Sequence, residues 1–335
     1  MILVTGGTGL VGSHLLFWLI QEQHKVRAIY RNEASISAVK NVFSYYTSDV
    51  ELCFSRIEWI QADITDVTSL EKAFEDITHV YHAAALVSFN PKDYFQMRKI
   101  NIDGTANVVN YCIDKGVSKL CYVSSIATLE KSSKNTLISE SSEWNAESNN
   151  YGYAITKYGA EMEVWRGSQE GLDIVMVNPG VILGPGFWNQ GTGALFIKGF
   201  QNFPFYSEGV SGFVGVNDVA KSMILLMNSD INNECFLLVS ENISFKEVLF
   251  EIADNFGKKR AFIKVNWFLA EIAWILDLSI SKISGKEISI SKQSARASLN
   301  VYEYSSDKIK TQLNFEFEKM KEVIKETCKY YLKDK

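Results

Sequence analysis

A tyrosine and a lysine four residues apart form the most reactive pattern in the chain. Residues 153–157 read Tyr-Ala-Ile-Thr-Lys in a stretch expected to be helical, and this spacing puts Tyr153 and Lys157 on one helix face. A nearby ammonium favours tyrosinate, so we expect Lys157 to lower the pKa of Tyr153. Tyr153 would then act as a general acid or base near neutral pH. The simpler interpretation is an ordinary exposed pair, since the chain contains 15 tyrosines.

Two serines stand at the end of a predicted strand that precedes this pair. Ser124 and Ser125 follow the apolar run 120–123. A serine hydroxyl at a strand end can donate a hydrogen bond to the carbonyl oxygen of a substrate. With Tyr153 and Lys157, such a serine would complete a site for proton transfer.

A glycine-rich loop near the start of the chain predicts a phosphate site. Residues 5–12 read Thr-Gly-Gly-Thr-Gly-Leu-Val-Gly between a predicted strand and a predicted helix. The glycines permit a tight turn and a close approach of the backbone to a pyrophosphate, while the helix N-terminus supplies N–H donors. In this context the motif indicates a dinucleotide cofactor more than a ligand-free turn. The expected contacts are Gly6, Thr8, Gly9, Leu10, Val11 and Gly12.

The elements that must position these residues alternate along the chain. Candidate strands are 1–5, 25–30, 57–61, 77–83, 117–124 and 172–178, and helical stretches lie near 10–23, 66–76, 91–115 and 151–170. This alternation predicts an α/β protein with a Rossmann-type, doubly wound parallel sheet. We expect a dinucleotide-binding domain of residues 1–178, to which 213–240 return. Residues 179–212 and 241–335 would form a smaller, mostly helical substrate lobe, with loops and one short helix in 179–212 and a final helix at 316–333.

Composition excludes several classes of protein. The net charge of −5 argues against a nucleic-acid partner, which would favour clustered positive charge. The five cysteines are scattered, so we expect no disulfide framework and no metal site. No leader pattern is evident at residue 1, and we expect a cytoplasmic protein. The apolar run 267–276 is too short to span a bilayer, and a helix packed on its own domain is favoured over a peripheral membrane helix.

These motifs, in this order, resemble the extended short-chain dehydrogenases/reductases, also called the NAD-dependent epimerase/dehydratase family. The resemblance covers residues 1–240 firmly and the rest in general shape. It implies that Ser125, Tyr153 and Lys157 are catalytic, and that Asn101 orders the relay or the local backbone. It also implies a homodimer through the helices near 91–115 and 151–170. The further cofactor contacts that it implies are Asp63, Ile64, Ala83, Ala84, Ala85, Ser124, Pro179 and Val181, with Tyr153 and Lys157 binding the cofactor as well.

The end of the second strand bears on cofactor choice. NAD-selective sites usually carry an acid there, whereas this chain reads Tyr30-Arg31-Asn32 and has no acid before Glu33. The planar guanidinium of Arg31 suits the 2′-phosphate of NADP. We therefore expect NADP(H) to be preferred over NAD(H); a solvated loop arginine is the alternative. His82 is interpreted as a packed strand-end residue.

The substrate segment separates branches of the family. Sugar-nucleotide enzymes carry an Arg and a His where this chain has Ser211 and Gly215, and a fixed charge for a diphosphate is thereby lost. The segment 26–32 is similar to the dihydroflavonol-reductase-like branch, whose relatives include 3β-hydroxysteroid-dehydrogenase-like enzymes. We expect a carbonyl reductase or alcohol dehydrogenase with a comparatively apolar small-molecule substrate. Alternatives are a nucleotide-sugar epimerase or dehydratase and, less favoured, a non-catalytic NADP-binding regulator. Aromatic residues of 187–213 would either line the pocket or pack the lobe; they are Phe187, Trp188, Phe196, Phe200, Phe203, Phe205, Tyr206 and Phe213.

Overall fold

The computed structural model describes residues 1–130, 137–148, 150–271, 274 and 298–335. The apolar run 267–276 therefore lies partly outside the described residues. Within those residues the strands are β1 (Ile2–Thr5), β2 (Val26–Tyr30), β3 (Ile57–Gln61), β4 (His79–His82), β5 (Lys119–Val123), β6 (Leu137–Ile138), β7 (Asp173–Pro179), β8 (Val181–Leu183), β9 (Phe205–Tyr206), β10 (Val210–Gly215), β11 (Glu234–Leu238), β12 (Glu241–Ser244), β13 (Ile263–Lys264) and β14 (Glu303–Tyr304).

The described α-helices are of very different lengths. They are α1 (Leu10–Gln21), α2 (Ile36–Phe43), α3 (Val50–Phe54), α4 (Val67–Ala73), α5 (Tyr94–Arg98), α6 (Gly104–Asp114), α7 (Gly152–Gln169), α8 (Gly193–Phe200), α9 (Val216–Met227), α10 (Phe245–Asn255), α11 (Asp307–Leu313) and α12 (Met320–Asp334). None of the helices in the described parts of the chain is both long and apolar enough to cross a membrane.

A seven-stranded parallel sheet forms the centre of the molecule, in the order β11-β7-β5-β4-β1-β2-β3. The residues of its inner strands are almost all buried because both faces are covered; all four residues of β1 are buried. Helices α1, α2 and α9 cover one face, and α4, α6 and α7 cover the other. This arrangement confirms the predicted fold class.

The strand order reverses between β1 and β4, because the chain moves from β1 towards β3 and then returns to the other side of β1. In open α/β sheets, ligands bind at such a switch point, beyond the carboxyl ends of the strands. The glycine loop follows β1 and residues 83–85 follow β4, so both predicted cofactor segments lie at this crevice.

A smaller layer packs around the three-stranded sheet β12-β10-β8. Its core contains side chains of α8, α10 and α12, including the fully buried Phe196, Phe213 and Ile252. β11 joins the main sheet, whereas β10 pairs with β8 and β12. The division into a Rossmann domain of 1–178 with 213–240 and a lobe of 179–212 with 241–335 stays a prediction.

Several elements differ from the sequence-based expectation. Segment 91–115 is not one helix: a 3₁₀ turn and α5 lead into a π-helical turn, Lys99–Asp103, before α6. The final helix begins at Met320 instead of 316. Helices α2 and α3 were not predicted, and segment 179–212 also contains β8, β9 and the start of β10. These short pieces carry too few residues for a periodic pattern to reveal them.

Candidate functional site

The glycine loop is built so closely that side chains would not fit at two of its positions. Gly6 has φ +70°, and a Cβ there would lie 2.5 Å from the nitrogen of Ala84. A Cβ on Gly12 would lie 2.1 Å from the Gly6 oxygen, so this glycine lets α1 pack against the loop. Gly9 differs, because a Cβ there would meet only the Gly6 oxygen within 4 Å, at 3.4 Å.

The helix that follows the loop presents an uncompensated N-terminus. Gly9 is the N-cap of α1, no side chain caps it, and the first turn contains no acidic residue. The exposed N–H groups and the helix dipole therefore favour an anion. Thr8, Leu10 and Val11 are partly exposed around this end. The open space over Gly9 and the donor set fit the pyrophosphate of a dinucleotide.

Polar contacts hold the switch point between β1 and β4. The side chain of His82 is fully buried, with Nδ1 2.6 Å from Thr5 Oγ1 and Nε2 2.9 Å from Thr105 Oγ1. Burial lowers the pKa of His82 to about 3, so it is neutral and acts as a packing residue. The N–H of Ala83 donates to the Thr5 oxygen at 3.2 Å. Ala84 and Ala85 follow with side chains small enough to leave the crevice open.

The adenine side of the crevice contains the residues predicted after β2 and β3. One carboxylate oxygen of Asp63 accepts from the N–H and the hydroxyl of Thr65, at 2.8 and 2.9 Å. Ile64 is buried against Gly104, so any contact of Ile64 with a cofactor would run through its backbone. Arg31 follows β2 and is exposed; its backbone oxygen accepts from Gln61. Asp66 caps α4, a role expected for it or for Thr65.

The residues predicted to transfer protons come together where β5 meets α7. Tyr153 lies in the first turn of α7 and is half-buried beside Ser125, whose hydroxyl interacts with the phenol. Lys157 is 1% exposed. Its ammonium donates to the Tyr122 hydroxyl at 2.6 Å and to the Val123 oxygen at 2.7 Å, and it lies 4.3 Å from the centre of the Tyr122 ring.

The electrostatics of this pair correct one expectation. Burial raises the pKa of Tyr153, and the hydrogen bond from Ser125 opposes the rise only in part. The prediction that Lys157 lowers the pKa of Tyr153 is therefore wrong for the protein alone, because the ammonium bonds to Tyr122 and Val123 instead. Burial also lowers the pKa of Lys157 itself, to about 7.

Asn101 lies in the π-helical turn and is 1% exposed. It donates to the Leu86 oxygen and to Thr156 Oγ1, both at 3.0 Å, and accepts from the Leu86 N–H at 2.7 Å. The Thr156 hydroxyl in turn donates to the backbone oxygen of Tyr153. Asn101 therefore connects the loop after β4 to the helix of Tyr153. Of the two roles expected for it, ordering the relay or ordering the local backbone, these contacts correspond to the second.

Ser124 faces away from the predicted cofactor crevice. It is buried, and its hydroxyl donates to the buried carboxylate of Glu161. A cofactor contact through the Ser124 side chain is thus not supported, because that hydroxyl is already used inside the protein. Pro179 ends β7 and is buried, while Val181 begins β8 and is partly exposed.

Sequence reasoning missed the aromatic residues that adjoin Tyr153. The rings of Phe89 and Tyr151 lie 6.4 and 6.2 Å from the ring of Tyr153, and 5.7 Å from each other. Phe89 is 44% exposed. The only available signal was its place in the segment after β4, at the carboxyl edge of the sheet.

The aromatic residues expected near the substrate mostly pack the lobe. Phe196 and Phe213 are fully buried. The Trp188 ring contacts the Tyr331 ring edge to face, and the Phe200 ring lies tilted against it, with ring centres 5.0 and 5.5 Å apart. Packing, the alternative stated from sequence, therefore accounts for these side chains. The two positions at which sugar-nucleotide enzymes carry an Arg and a His have no charged side chain here: Ser211 lies in β10, and Gly215 ends that strand.

Comparison with known proteins identifies the family. The model of the NAD dependent epimerase/dehydratase family matches residues 2–236. Similar proteins of Arabidopsis thaliana include tetraketide alpha-pyrone reductase 2, 28% identical over 67% of this chain and 73% of its own length. Anthocyanidin reductase of the same organism is 25% identical over 73% of this chain and 77% of its own length. The Bordetella bronchiseptica enzyme WbmG, solved with NAD and UDP, shares the fold: TM-score 0.75, 19% identity, 99% of this chain and 94% of that one.

The chain belongs to the NAD dependent epimerase/dehydratase family, since the family model matches more than half of it. It is an NAD(P)-dependent oxidoreductase of the extended short-chain dehydrogenase/reductase type.

The glycine loop gives a matched pair of variants. Gly9→Ala should fold with near-normal stability, because its Cβ meets only one atom, yet weaken NADPH binding at least about tenfold by blocking the approach of the pyrophosphate. Gly12→Ala should lower the melting temperature, because its Cβ collides with the Gly6 oxygen. Thermal melting and fluorescence titration measure both effects. Unchanged NADPH affinity in Gly9→Ala would contradict this assignment of the loop.

Proposed function

We propose that this protein is an NADP(H)-dependent carbonyl reductase or alcohol dehydrogenase that acts on a comparatively apolar substrate. One observation carries the proposal: Ser125 and Tyr153 lie side by side at a strand end, with the buried Lys157 one helical turn further along. The reductases among its relatives support the reaction type.

The residues divide the chemistry as follows. The hydroxyls of Ser125 and Tyr153 hold the carbonyl oxygen of the substrate, and Tyr153 transfers a proton to that oxygen. A bound reduced nicotinamide supplies the hydride. The Tyr122 hydroxyl and the Val123 backbone oxygen accept hydrogen bonds from two of the three N–H groups of the Lys157 ammonium. We assign the third N–H group to a ribose hydroxyl of the cofactor. The positive charge next to the cofactor then favours proton release from Tyr153 in the complex.

Tyr153→Phe tests the proton donor. Turnover should fall on the order of a hundredfold to ten-thousandfold while the dissociation constant of NADPH stays near the wild-type value, because only the hydroxyl is lost. The matched control is Tyr158→Phe in the same helix, where the ring stacks on Trp144 and the hydroxyl has no assigned role. Near-normal turnover of Tyr153→Phe would refute the assignment and would restore the non-catalytic regulator as a candidate.

Arg31 supports the cofactor preference. It is exposed at the end of β2, next to the strand that leads into the glycine loop. Arg31→Ala should weaken NADPH binding by roughly tenfold or more, the value of a charge-assisted hydrogen bond, and leave NADH binding nearly unchanged. The exposed Arg56 provides the control Arg56→Ala. If NADPH and NADH bind equally in the wild type and in Arg31→Ala, the preference is wrong.

The substrate pocket offers aromatic surface and little fixed positive charge. Phe89 and Tyr151 flank the catalytic tyrosine. Arg166 and Lys198 are two candidate partners for a diphosphate. Arg166 pairs with Glu163 and Glu170, while the ammonium of Lys198 lies 5.2 Å from the centre of the Phe203 ring. A buried diphosphate without a partner is costly.

A binding screen separates the reductase from the epimerase alternative. With NADPH or NAD saturating, UDP-glucose, UDP-galactose, dTDP-glucose and GDP-mannose should bind no tighter than millimolar, whereas apolar ketones or aldehydes should bind. Phe89→Ser should weaken the binding of an apolar carbonyl compound at least severalfold, because it removes a ring from the pocket wall. Micromolar binding of any of the four sugar nucleotides would place the epimerase reading first.

Exposed apolar side chains on α5 and α7 support the proposed homodimer. Phe95 on α5 is 78% exposed, and Ile155 and Met162 on α7 are 36% and 41% exposed. A second copy packed on α5 and α7 would cover these apolar side chains. A measurement of the molecular mass in solution tests this proposal, and a monomer at micromolar concentration would contradict it.

A further inference from the structure

A buried carboxylate beside the catalytic residues has no role in the chemistry described above. Glu161 is 6% exposed and lies on α7 one turn beyond Lys157, which itself lies one turn beyond Tyr153. The three side chains therefore follow one another along a single helix face. A buried carboxylate is rare unless it is paired or fully hydrogen-bonded, so its partners indicate its purpose.

Three donors converge on one oxygen of this carboxylate. Ser124 donates at 2.5 Å, the Thr128 hydroxyl at 2.8 Å and the Asn178 side-chain amide at 2.7 Å. Ser124 immediately follows β5, and Asn178 lies near the end of β7. The Asn178 amide also donates to the backbone oxygen of Ser125 at 3.2 Å. The Glu161 side chain thus holds the end of β5, which precedes Ser125, and the end of β7, which contains Asn178.

We propose that Glu161 is a positioning residue for the proton relay: its carboxylate joins the ends of β5 and β7 to the helix of Tyr153 and Lys157, and it is the counter-charge of the buried Lys157 ammonium one helical turn away. This inference rests on the proposed function of that site.

The charges around Lys157 support the second role. Burial lowers the pKa of Lys157 to about 7, and the attraction of Glu161 is the influence that raises it. Burial raises the pKa of Glu161, and the hydrogen bonds from Ser124, Thr128 and Asn178 and the attraction of Lys157 oppose that rise. His82 on β4 is neutral, since its pKa is about 3, and burial raises the pKa of Tyr122 on β5 and of Tyr153. Cys235 on β11, near Glu161, is a neutral thiol with its pKa raised to about 11.

Lys157 is charged below its pKa and loses its charge as the pH rises. Because the carboxylate raises that pKa, removal of its charge moves the loss to lower pH. At a pH above both midpoints, the charged fraction of Lys157 falls about tenfold for each unit by which the midpoint moves.

The test follows the titration of Lys157 directly, in the free protein. NMR of protein labelled with ¹³C at lysine Cε, with the Lys157 resonance assigned by Lys157→Arg, gives its midpoint in the wild type and in Glu161→Gln. We expect a wild-type midpoint near neutral pH and a clearly lower one in Glu161→Gln. The control Thr128→Val removes the hydroxyl that bonds to Glu161, to Asn178 and to the backbone oxygen of Ser125, but it removes no charge. It should therefore lower the melting temperature and leave the midpoint unchanged. The same midpoint in Glu161→Gln and wild type would overturn the proposal.

A second variant covers the case in which Glu161→Gln does not fold. Glu161→Asp keeps the charge but draws it back from Lys157, so the Lys157 midpoint should fall below the wild-type value, and the melting temperature should fall as well. An unchanged Lys157 midpoint in Glu161→Asp would overturn the proposal. NADPH titration of the wild type tests the proposed function separately: if that protein binds no NADPH, the proposed function fails, and the lysine titration still decides the role of Glu161.

Discussion

The structure depends on keeping one ammonium group, that of Lys157, inside the protein. An unpaired buried charge is costly, and removing one partner of a buried charged pair typically costs about 3–5 kcal/mol. Lys157 meets this demand through the Tyr122 hydroxyl, the Val123 oxygen and the Tyr122 ring. Those partners belong to β5, so α7 must stay in register with that strand. The same register places Tyr153 beside Ser125.

The parallel sheet explains why two distant sequence motifs serve one reaction. All seven of its strands end at the same edge, where the glycine loop, residues 83–85 and Ser125 follow β1, β4 and β5. The reversal of strand order between β1 and β4 opens the crevice there. Asn101 then fastens the loop after β4 to α7, so the cofactor side and the proton-transfer side share one framework.

Sequence reasoning recovers what is local and loses what depends on packing. The strands of the sheet, the glycine loop and the Tyr153–Lys157 spacing are contiguous patterns, and the structure places them as expected. The bond between Lys157 and Tyr122 joins residues of different elements, so it could not be read from spacing. Nor could the burial that raises the pKa of Tyr153. The same holds for Phe89, which reaches Tyr153 only through the fold. Ser124 and Ser125 are adjacent in sequence, yet strand geometry sends one hydroxyl inwards to Glu161 and leaves the other beside Tyr153.

A reductase of the kind proposed exchanges a dissociable cofactor with solution in each turnover. The most direct measurement is the nucleotide released on denaturing the purified, extensively dialysed protein, quantified per chain. The account predicts far less than one equivalent, together with reversible saturation of the protein by added NADPH. Close to one equivalent of NAD that survives dialysis and does not exchange with added NADPH would contradict it, because a cofactor held in this way is regenerated within the site, as in an epimerase.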